Sequence, residues 1–281
     1  EKQGYSIEAV ELTDLLVADI ALNDTDNWEN WDTTAPANVW APIGPNMATS
    51  FNGVFEGNGH TISGLYCDNS GDCAGLFGVI AGANSVVRNV NIERSYIKGV
   101  NYAGGVCGMF TSPQGKLENC SVDAAVSGSL YVGGVCGYFY PAAASILDCL
   151  NSGVVAGTQR VGGIAGLNSG TVEGCRNDGA IQGGTGSMLI GGICGSSDGT
   201  VRNAYNTGSV YGSNNLGGIC GMLGGSPAKT AVLENVYSRG GVSGASNNAA
   251  ICGATNAYCA LSSSYYLNTS APSGIGYNAA S

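Results

Sequence analysis

A short glycine-flanked motif recurs along the sequence at nearly constant spacing, and this repeat limits the folds open to the chain. It reads GGVCG at residues 104–108. Copies with Ile for Val or Ala for Cys follow at 133–137, 162–166, 191–195 and 217–221. Looser copies stand at 74–78 and 249–253, so the last glycines are 30, 29, 29, 29, 26 and 32 residues apart. A period of this size indicates a repeat fold in which each turn stacks on the one before.

Alignment of the repeats gives three columns of aliphatic residues, and each column predicts one short strand per turn. The first column contains Leu76, Val106, Val135, Ile164, Ile193, Ile219 and Ile251. The second contains Val87, Leu117, Ile146, Val172, Val201 and Leu233. The third contains Ile97, Val126, Val155, Ile181, Val210 and Val242. We therefore predict an all-β parallel β-helix, or β-solenoid, with about seven right-handed rungs of roughly 29 residues and three strands each.

The repeat also suggests how the chain is divided, within one domain overall. Residues 1–50 lack the motif and contain all three Trp residues, so we expect them to cap the first turn, with a short helix or an edge strand at 10–16. Residues 51–268 form the predicted solenoid, and 269–281 a small polar C-terminal tail. Because the chain begins at Glu1 without Met or a signal peptide, we expect a monomeric module of a longer product.

Columns of polar residues complete the predicted stack. One position of the repeat is held by Asn in four rungs, namely Asn89, Asn119, Asn203 and Asn235. This column predicts a ladder of side-chain amides at a bend, broken by Asp148 and Gly174. The preceding position alternates in charge and predicts ion pairs between rungs, in the order Arg88, Glu118, Leu147, Glu173, Arg202 and Glu234. The segments 151–153, 177–179 and 206–208 predict turns in which Asn bonds its own backbone.

The eleven cysteines are mostly periodic and exchange with Ala, Val or Phe at equivalent positions. This pattern predicts buried thiols rather than disulfides or metal ligands, because free Cys packs as a small apolar residue. Cys67 and Cys73 lie outside the register and are the candidate disulfide pair. No CxxC pair occurs, so we expect no zinc site. We also predict no cofactor.

Charge excludes several classes of partner. The formal net charge is −10 with only ten Lys and Arg residues, which argues against binding to nucleic acid or to anionic membranes. No run of 18 apolar residues occurs, so we expect no membrane insertion of this segment.

Residues 40–44 (WAPIG) and 51–65 (FNGVFEGNGHTISGL) resemble the opening block of the GLUG-motif repeat family, and the likeness extends to about residue 268. Such repeats occur in bacterial surface and secreted proteins, including adhesins and regions that accompany IgA-specific metallopeptidases. The resemblance implies a β-solenoid at the bacterial cell surface or outside the cell, and it does not imply a catalytic centre.

Catalysis is the alternative, because polysaccharide lyases and hydrolases also use β-helices. Their chemistry needs clustered carboxylates, whereas from Gly75 onward no two acids lie within three residues of each other. His60 is the single histidine and belongs to a tight Gly-Asn-Gly-His turn, where a structural role is favoured. We therefore predict a non-catalytic module with no catalytic residues.

Binding is predicted at the corner that follows the motif, which is longer and aromatic in two rungs. A second aromatic column lies where the chain enters the motif. The candidate residues from both places are Phe110, Tyr138, Phe139, Tyr140, Tyr102, Tyr131 and Arg160. Such rings suit stacking on glycans or contact with a surface protein of a host or of the cell itself. The alternatives are rings that only shield the corner and a solenoid that serves as a structural stalk.

Overall fold

Short strands stack in parallel along the chain as a β-solenoid of about seven turns with about 29 residues per turn. The computed structural model describes residues 13–68 and 71–278. Ahead of the turns come β1 (Thr13–Leu15), β2 (Ile20–Ala21) and the 3₁₀ helices η1 (Trp28–Asn30) and η2 (Met47–Thr49). The all-β solenoid predicted from the sequence is confirmed.

We number the turns as rungs from the first full turn onward. Rung 1 comprises β3 (Val54–Glu56), β4 (Thr61–Ser63), β5 (Tyr66–Asp68), β6 (Cys73–Ala74) and β7 (Phe77–Ile80). Rung 2 comprises β8 (Val86–Arg88), β9 (Asn91–Lys98), β10 (Tyr102–Gly104) and β11 (Cys107–Phe110). Rung 3 comprises β12 (Lys116–Glu118), β13 (Ser121–Ser127), β14 (Tyr131–Gly133) and β15 (Cys136–Phe139). Rung 4 comprises β16 (Ser145–Leu147), β17 (Leu150–Asn151), β18 (Val155–Gly162) and β19 (Ala165–Asn168).

The later rungs follow the same plan. Rung 5 comprises β20 (Thr171–Glu173), β21 (Arg176–Asn177), β22 (Ile181–Gly191) and β23 (Cys194–Ser197). Rung 6 comprises β24 (Thr200–Arg202), β25 (Tyr205–Asn206), β26 (Val210–Gly217) and β27 (Cys220–Leu223). Rung 7 comprises β28 (Ala231–Ser238), β29 (Val242–Ala249) and β30 (Cys252–Thr255). The last strands are β31 (Cys259–Tyr266) and β32 (Ile275–Asn278).

The three aliphatic columns are confirmed by the strand register. In the second column Leu117 pairs with Val87 and Ile146, and in the third column Val126 pairs with Ile97 and Val155. The first column is linked by backbone bonds such as Val106 N–H to the Val135 oxygen, at 3.0 Å. All three columns are buried and belong to one continuous core.

Rungs 2 to 6 contain four strands rather than the predicted three, and these strands form two sheets. One sheet has eight strands, namely β7, β11, β15, β19, β23, β27, β30 and β32. The other strands belong to the larger sheet. The motif forms the corner between the sheets, with Val106 at the bend and Cys107 opening the next strand. This explains why two adjacent apolar residues can both be buried, since strict strand alternation does not apply across a bend.

Glycine is required at this corner because the backbones of the two sheets touch. A Cβ atom on Gly137 would lie 2.7 Å from the carbonyl oxygen of Tyr131 and 2.8 Å from the nitrogen of Ala103. Real Cβ atoms do not approach backbone this closely, so any side chain here would separate the sheets.

The cysteines lie in the core as predicted, with ten of the eleven buried and Cys259 partly buried. Cys107 and Cys136 stack across rungs with their sulfurs 3.5 Å apart. The predicted Cys67–Cys73 disulfide is not formed in the described part of the chain, where both residues are buried thiols. The idea that these two lie outside the register is wrong, because Cys67 pairs with Ile97 and Cys73 with Tyr102, each as a member of a column.

Two amide ladders run along the solenoid. The predicted outer ladder is confirmed, because Asn119 donates to Asn89 at 2.8 Å and Asn235 donates to Asn203 at 2.7 Å. A second ladder is buried, in which Asn151 donates to Asn177 and Asn177 to Asn206. The Nδ2 of each of these residues also donates to the glycine carbonyl two residues ahead, as the turn pattern predicted. A ladder of this kind satisfies polar groups that a buried turn would otherwise leave without partners.

The alternating charges are in register as predicted, but their partners differ in part. Arg202 binds Glu173 at 2.7 Å, whereas Arg88 binds Glu56 of the preceding rung at 2.6 Å rather than Glu118. Glu56 therefore extends the predicted column by one rung. Exposed pairs of this kind contribute about 0–1 kcal/mol each.

Further strands continue the stack at both ends. β1 pairs in parallel with β3, and β2 with β4, so the segment before rung 1 covers its strand edges. Residues 10–12 of the predicted 10–16 element lie outside the described residues, and its remainder is the strand Thr13–Leu15. Within the expected tail, β32 pairs with β30 and continues the eight-stranded sheet. No helix among the described residues is long and apolar enough to cross a membrane.

We predict that the native protein resists thiol alkylation. Burial raises the pKa of Cys67 and of Cys73 to about 11 in each case, so at pH 8 both remain protonated and unreactive. Mass spectrometry after iodoacetamide treatment should show modification of Cys259 at most in the folded protein, and of all eleven cysteines after unfolding. Fast alkylation of several core cysteines in the native state would contradict the structure, and nine modified sites after unfolding without reductant would reveal a disulfide.

Candidate functional site

Tyr102, Tyr131 and Arg160 form the column that the sequence predicted where the chain enters the motif. Tyr102 pairs with Tyr131 in register, and pairing of Val132 with Val161 places Arg160 beside Tyr131. The two tyrosine rings are stacked, with centroids 5.4 Å apart and planes 10° from parallel. The guanidinium carbon of Arg160 lies 5.2 Å from the ring centroid of Tyr131, within the range of a cation–π contact.

Tyr138 and Tyr140 reach the same place from the eight-stranded sheet. The ring of Tyr138 meets Tyr102 and Tyr131 edge-on, with centroids 5.5 and 5.0 Å away. Tyr140 follows the strand and stacks on Tyr138 at 5.5 Å with planes 9° from parallel. The two predicted aromatic sets are therefore one surface, which we call the tyrosine patch: Tyr102, Tyr131, Tyr138, Tyr140 and Arg160.

The glycine corner brings these side chains together. Because Gly137 has no side chain, the strand that carries Tyr138 lies directly against the backbone of Tyr131 and Ala103. Outward residues of the two sheets then share one surface on rungs 2 to 4. The patch is partly exposed, and Tyr140 is the most open member, with 59% of its surface accessible.

Phe110 and Phe139 do not belong to this surface, and their assignment as binding candidates is wrong. Both are fully buried, and their rings pack on each other at 5.1 Å inside the core. The reason is strand alternation, because Met109 and Tyr138 point outward on paired strands and the next residue must point inward.

The polar groups of the patch are not used by the protein itself. Within residues 13–68 and 71–278, no hydrogen bond engages the hydroxyl of any patch tyrosine, and Arg160 forms no ion pair. Burial is the main cause that raises the pKa of Tyr102 and of Tyr138, and the neighbouring Tyr131 is the second. These hydroxyl groups therefore stay neutral at physiological pH. The patch thus offers ring faces, neutral hydroxyl groups and one cation to a ligand.

The sequence contains a second tyrosine column that the prediction missed. Tyr205, Tyr237 and Tyr265 are paired in register and exposed, and Arg176 of the rung before lies 5.2 Å over the Tyr205 ring. Their spacing of 32 and 28 residues is a signal that alignment of the rungs could have found. Arg176 is already held by Asp178 at 2.6 Å, which distinguishes this column from the tyrosine patch.

The remaining candidates have structural surroundings. His60 contacts Asp19 through its Nδ1 at 3.1 Å, beside the first rung. The Asp19 carboxylate also accepts a 2.9 Å hydrogen bond from the backbone N–H of Thr61. This bond, together with the contact to His60, lowers the pKa of Asp19. Across the described ranges, no three His, Cys, Asp or Glu side chains are grouped so that they could hold a metal ion.

Comparisons with known proteins support the fold and give a broad context. No family model matches the chain. Halomucin from Haloquadratum walsbyi is 34% identical over 115 residues, which is 41% of this chain and 1% of halomucin. A "Putative Gly-rich membrane protein" from Evansella cellulosilytica is 41% identical over 86 residues, covering 30% of this chain and 10% of that protein. The chain thus matches only a small part of either relative.

A solved structure extends the likeness to nearly the whole chain. The crystal structure of a "putative immunoglobulin A1 protease" from Bacteroides ovatus superposes with a TM-score of 0.65 over 96% of this chain and 78% of that chain. Sequence identity is 20%, so the match shows a common fold. The repeat β-solenoid architecture is therefore shared with a solved protein.

We predict losses of stability of very different size for substitutions at two adjacent aromatic residues. Phe139→Ala removes a fully buried ring from the core and should lower the free energy of unfolding by about 3–5 kcal/mol. Tyr140→Ala removes an exposed ring and should cost about 1 kcal/mol or less. Chemical denaturation followed by circular dichroism measures both, and a similar cost for the two variants would contradict the assigned orientations.

Proposed function

We propose that this chain is a non-catalytic, extracellular β-solenoid module of a bacterial surface or secreted protein, and that it binds glycans through the tyrosine patch. The observation that carries the proposal is the set of stacked, partly exposed tyrosine rings whose hydroxyl groups have no partner in the described protein. Such groups are satisfied by solvent or by a ligand, and a ligand that stacks on the rings and also bonds the hydroxyl groups presents a flat apolar face and polar groups at its edge.

Sugar rings fit this requirement better than most ligands. One face of a pyranose ring consists of C–H groups that pack on aromatic rings, while its edge carries hydroxyl groups that exchange hydrogen bonds with tyrosine. The rings of Tyr131 and Tyr138 meet at 82° and form an angled surface rather than a closed pocket. An open surface of this kind suits part of a chain more than a small ligand that must be almost fully enclosed.

Sequence similarities and the net charge support the proposed location at the cell surface. The 40–44 and 51–65 segments resemble GLUG repeats of bacterial surface and secreted proteins. One relative is named halomucin and another a Gly-rich membrane protein. A net charge of −10 with few basic residues also fits a module that does not bind nucleic acid.

A polysaccharide lyase or hydrolase remains the alternative function, and the carboxylates of the rungs favour the binding module instead. A glycoside hydrolase needs a carboxyl group with a raised pKa close to an ionised one. Glu173 has the opposite property, because the hydrogen bond from Arg202 lowers its pKa. Near the patch, Asp198 is paired with Lys229 at 3.3 Å.

We predict that glycan binding depends on the inner rings of the patch. On a glycan array followed by calorimetry, the chain should bind oligosaccharides, and Tyr131→Ala or Tyr138→Ala should weaken binding at least about tenfold, which corresponds to 1.4 kcal/mol. Tyr237→Ala is the matched control, since Tyr237 is an exposed tyrosine of the second column that lies outside the patch.

Three results would contradict the proposal. Equal loss of binding in Tyr237→Ala would show that the patch is not the site. Binding of a surface protein, with no glycan bound at any concentration tested, would assign the patch to protein contact. Turnover of polygalacturonate or other glycans, assayed with and without calcium, would identify an enzyme.

A further inference from the structure

We propose that the glycan bound by the tyrosine patch carries a carboxylate, and that Arg160 recognises this group. This inference rests on the proposed function, because it names the chemical class of ligand for the same surface. Three observations support it: the unused donors of Arg160, the backbone conformation of Arg160, and the charges around the patch.

Among the described residues, Arg160 is a cation without an anionic partner. Arg88, Lys98, Arg176, Arg202 and Lys229 form ion pairs with carboxylates, whereas Arg94, Lys116, Arg160 and Arg239 do not. Of these four unpaired cations, Arg160 is the one that lies over an aromatic ring. Its guanidinium lies 5.2 Å from the ring centroid of Tyr131, and its N–H donors form no hydrogen bond to the described part of the protein. A carboxylate is the group whose two oxygens match the fork of guanidinium donors.

The backbone of Arg160 is in a conformation that arginine disfavours. Its φ is +49°, in the left-handed region that L-residues other than glycine, Asn and Asp rarely adopt. The same column continues through Leu189, Asn215 and Asn247, whose φ values are +63°, +54° and +52°. Those two asparagines form a ladder bond of 2.6 Å, so Asn is the side chain that suits this position. Arg160 costs conformational free energy and gives the patch its cation.

The charges nearby limit the ligand further. Asp198 is paired with Lys229, and Asp72 accepts a 2.6 Å bond from Asn101, so neither is paired with Arg160. The chain as a whole carries −10, which repels a polyanion at long range. The fitting ligand is therefore a sugar with a single carboxylate that packs its ring on tyrosine and reaches one guanidinium.

The test compares glycans that differ only in the carboxylate. The probes are oligosaccharides ending in sialic acid, oligosaccharides with one hexuronic acid, and the same compounds with the carboxylate reduced to an alcohol. The native chain should bind the acid form of at least one of the two probes at least about tenfold more tightly than its reduced form. The two acidic probes distinguish the source of the carboxylate.

Substitutions at Arg160 separate recognition from a structural role. Arg160→Asn should abolish the preference for the acid form while leaving the melting temperature unchanged or raised, because Asn suits the left-handed backbone. Arg160→Lys should keep part of the preference, since it keeps the charge but not the fork of donors. Tyr237→Ala should behave as the native chain.

The inference fails if acid and reduced forms bind equally to the native chain, or if Arg160→Asn keeps the preference. Loss of thermal stability in Arg160→Asn would also overturn it, because Arg160 would then be needed for the fold. If binding is equal for the two forms but lost in Tyr131→Ala, the patch still binds glycans and only the carboxylate assignment is wrong. If neither form binds and the array is empty, the proposed function fails as well.

Discussion

The parallel hydrogen bonds between consecutive rungs are the interaction on which the rest of this structure depends. They hold equivalent residues opposite each other, so every position along a rung becomes a column running along the solenoid. Aliphatic columns fill the core, hydrogen bonds link Asn151 to Asn177 and Asn177 to Asn206 inside it, and Arg202 pairs with Glu173 outside it. A surface on this fold is therefore assembled from columns rather than from loops that converge at one end.

The glycine corner adds a second constraint that acts across columns. Contact between the backbones at Gly137 and Tyr131 forces the two sheets together, and outward residues of both then share one surface. This is why Tyr138 stands edge-on to Tyr102 and Tyr131, although it belongs to a different sheet. The motif contributes no side chain to the tyrosine patch. Because Gly137 has no side chain, however, the two sheets lie close enough for the patch to form.

Much of this could be predicted, because periodicity reveals every column whose members are chemically alike. The aliphatic columns, the outer amide ladder and the Tyr102–Tyr131–Arg160 column were found in this way. Phe110 and Phe139 were misassigned because the direction of a side chain next to a bend depends on where the strand begins. Cys67 and Cys73 were misplaced because rung 1 spaces its strands differently. The contact between the two tyrosine sets depends on the geometry of the corner, which the spacing of residues along the sequence does not reveal.

Separation of core and surface explains how such a solenoid can acquire a binding site on a few rungs only. The position held by Tyr138 is occupied on the other strands of the same sheet by Val79, Met109, Leu167, Ser196, Met222, Ala254 and Tyr277. Val79 and Ala254 are buried, and the others are at least partly exposed. These side chains differ in size and polarity, yet the strands pair in the same parallel register throughout. Because the strand pairing does not depend on the side chain at this position, that side chain can vary from rung to rung. We therefore propose that recognition, rather than folding, accounts for the ring cluster on rungs 2 to 4 and for Arg160, which forms no ion pair with the described residues.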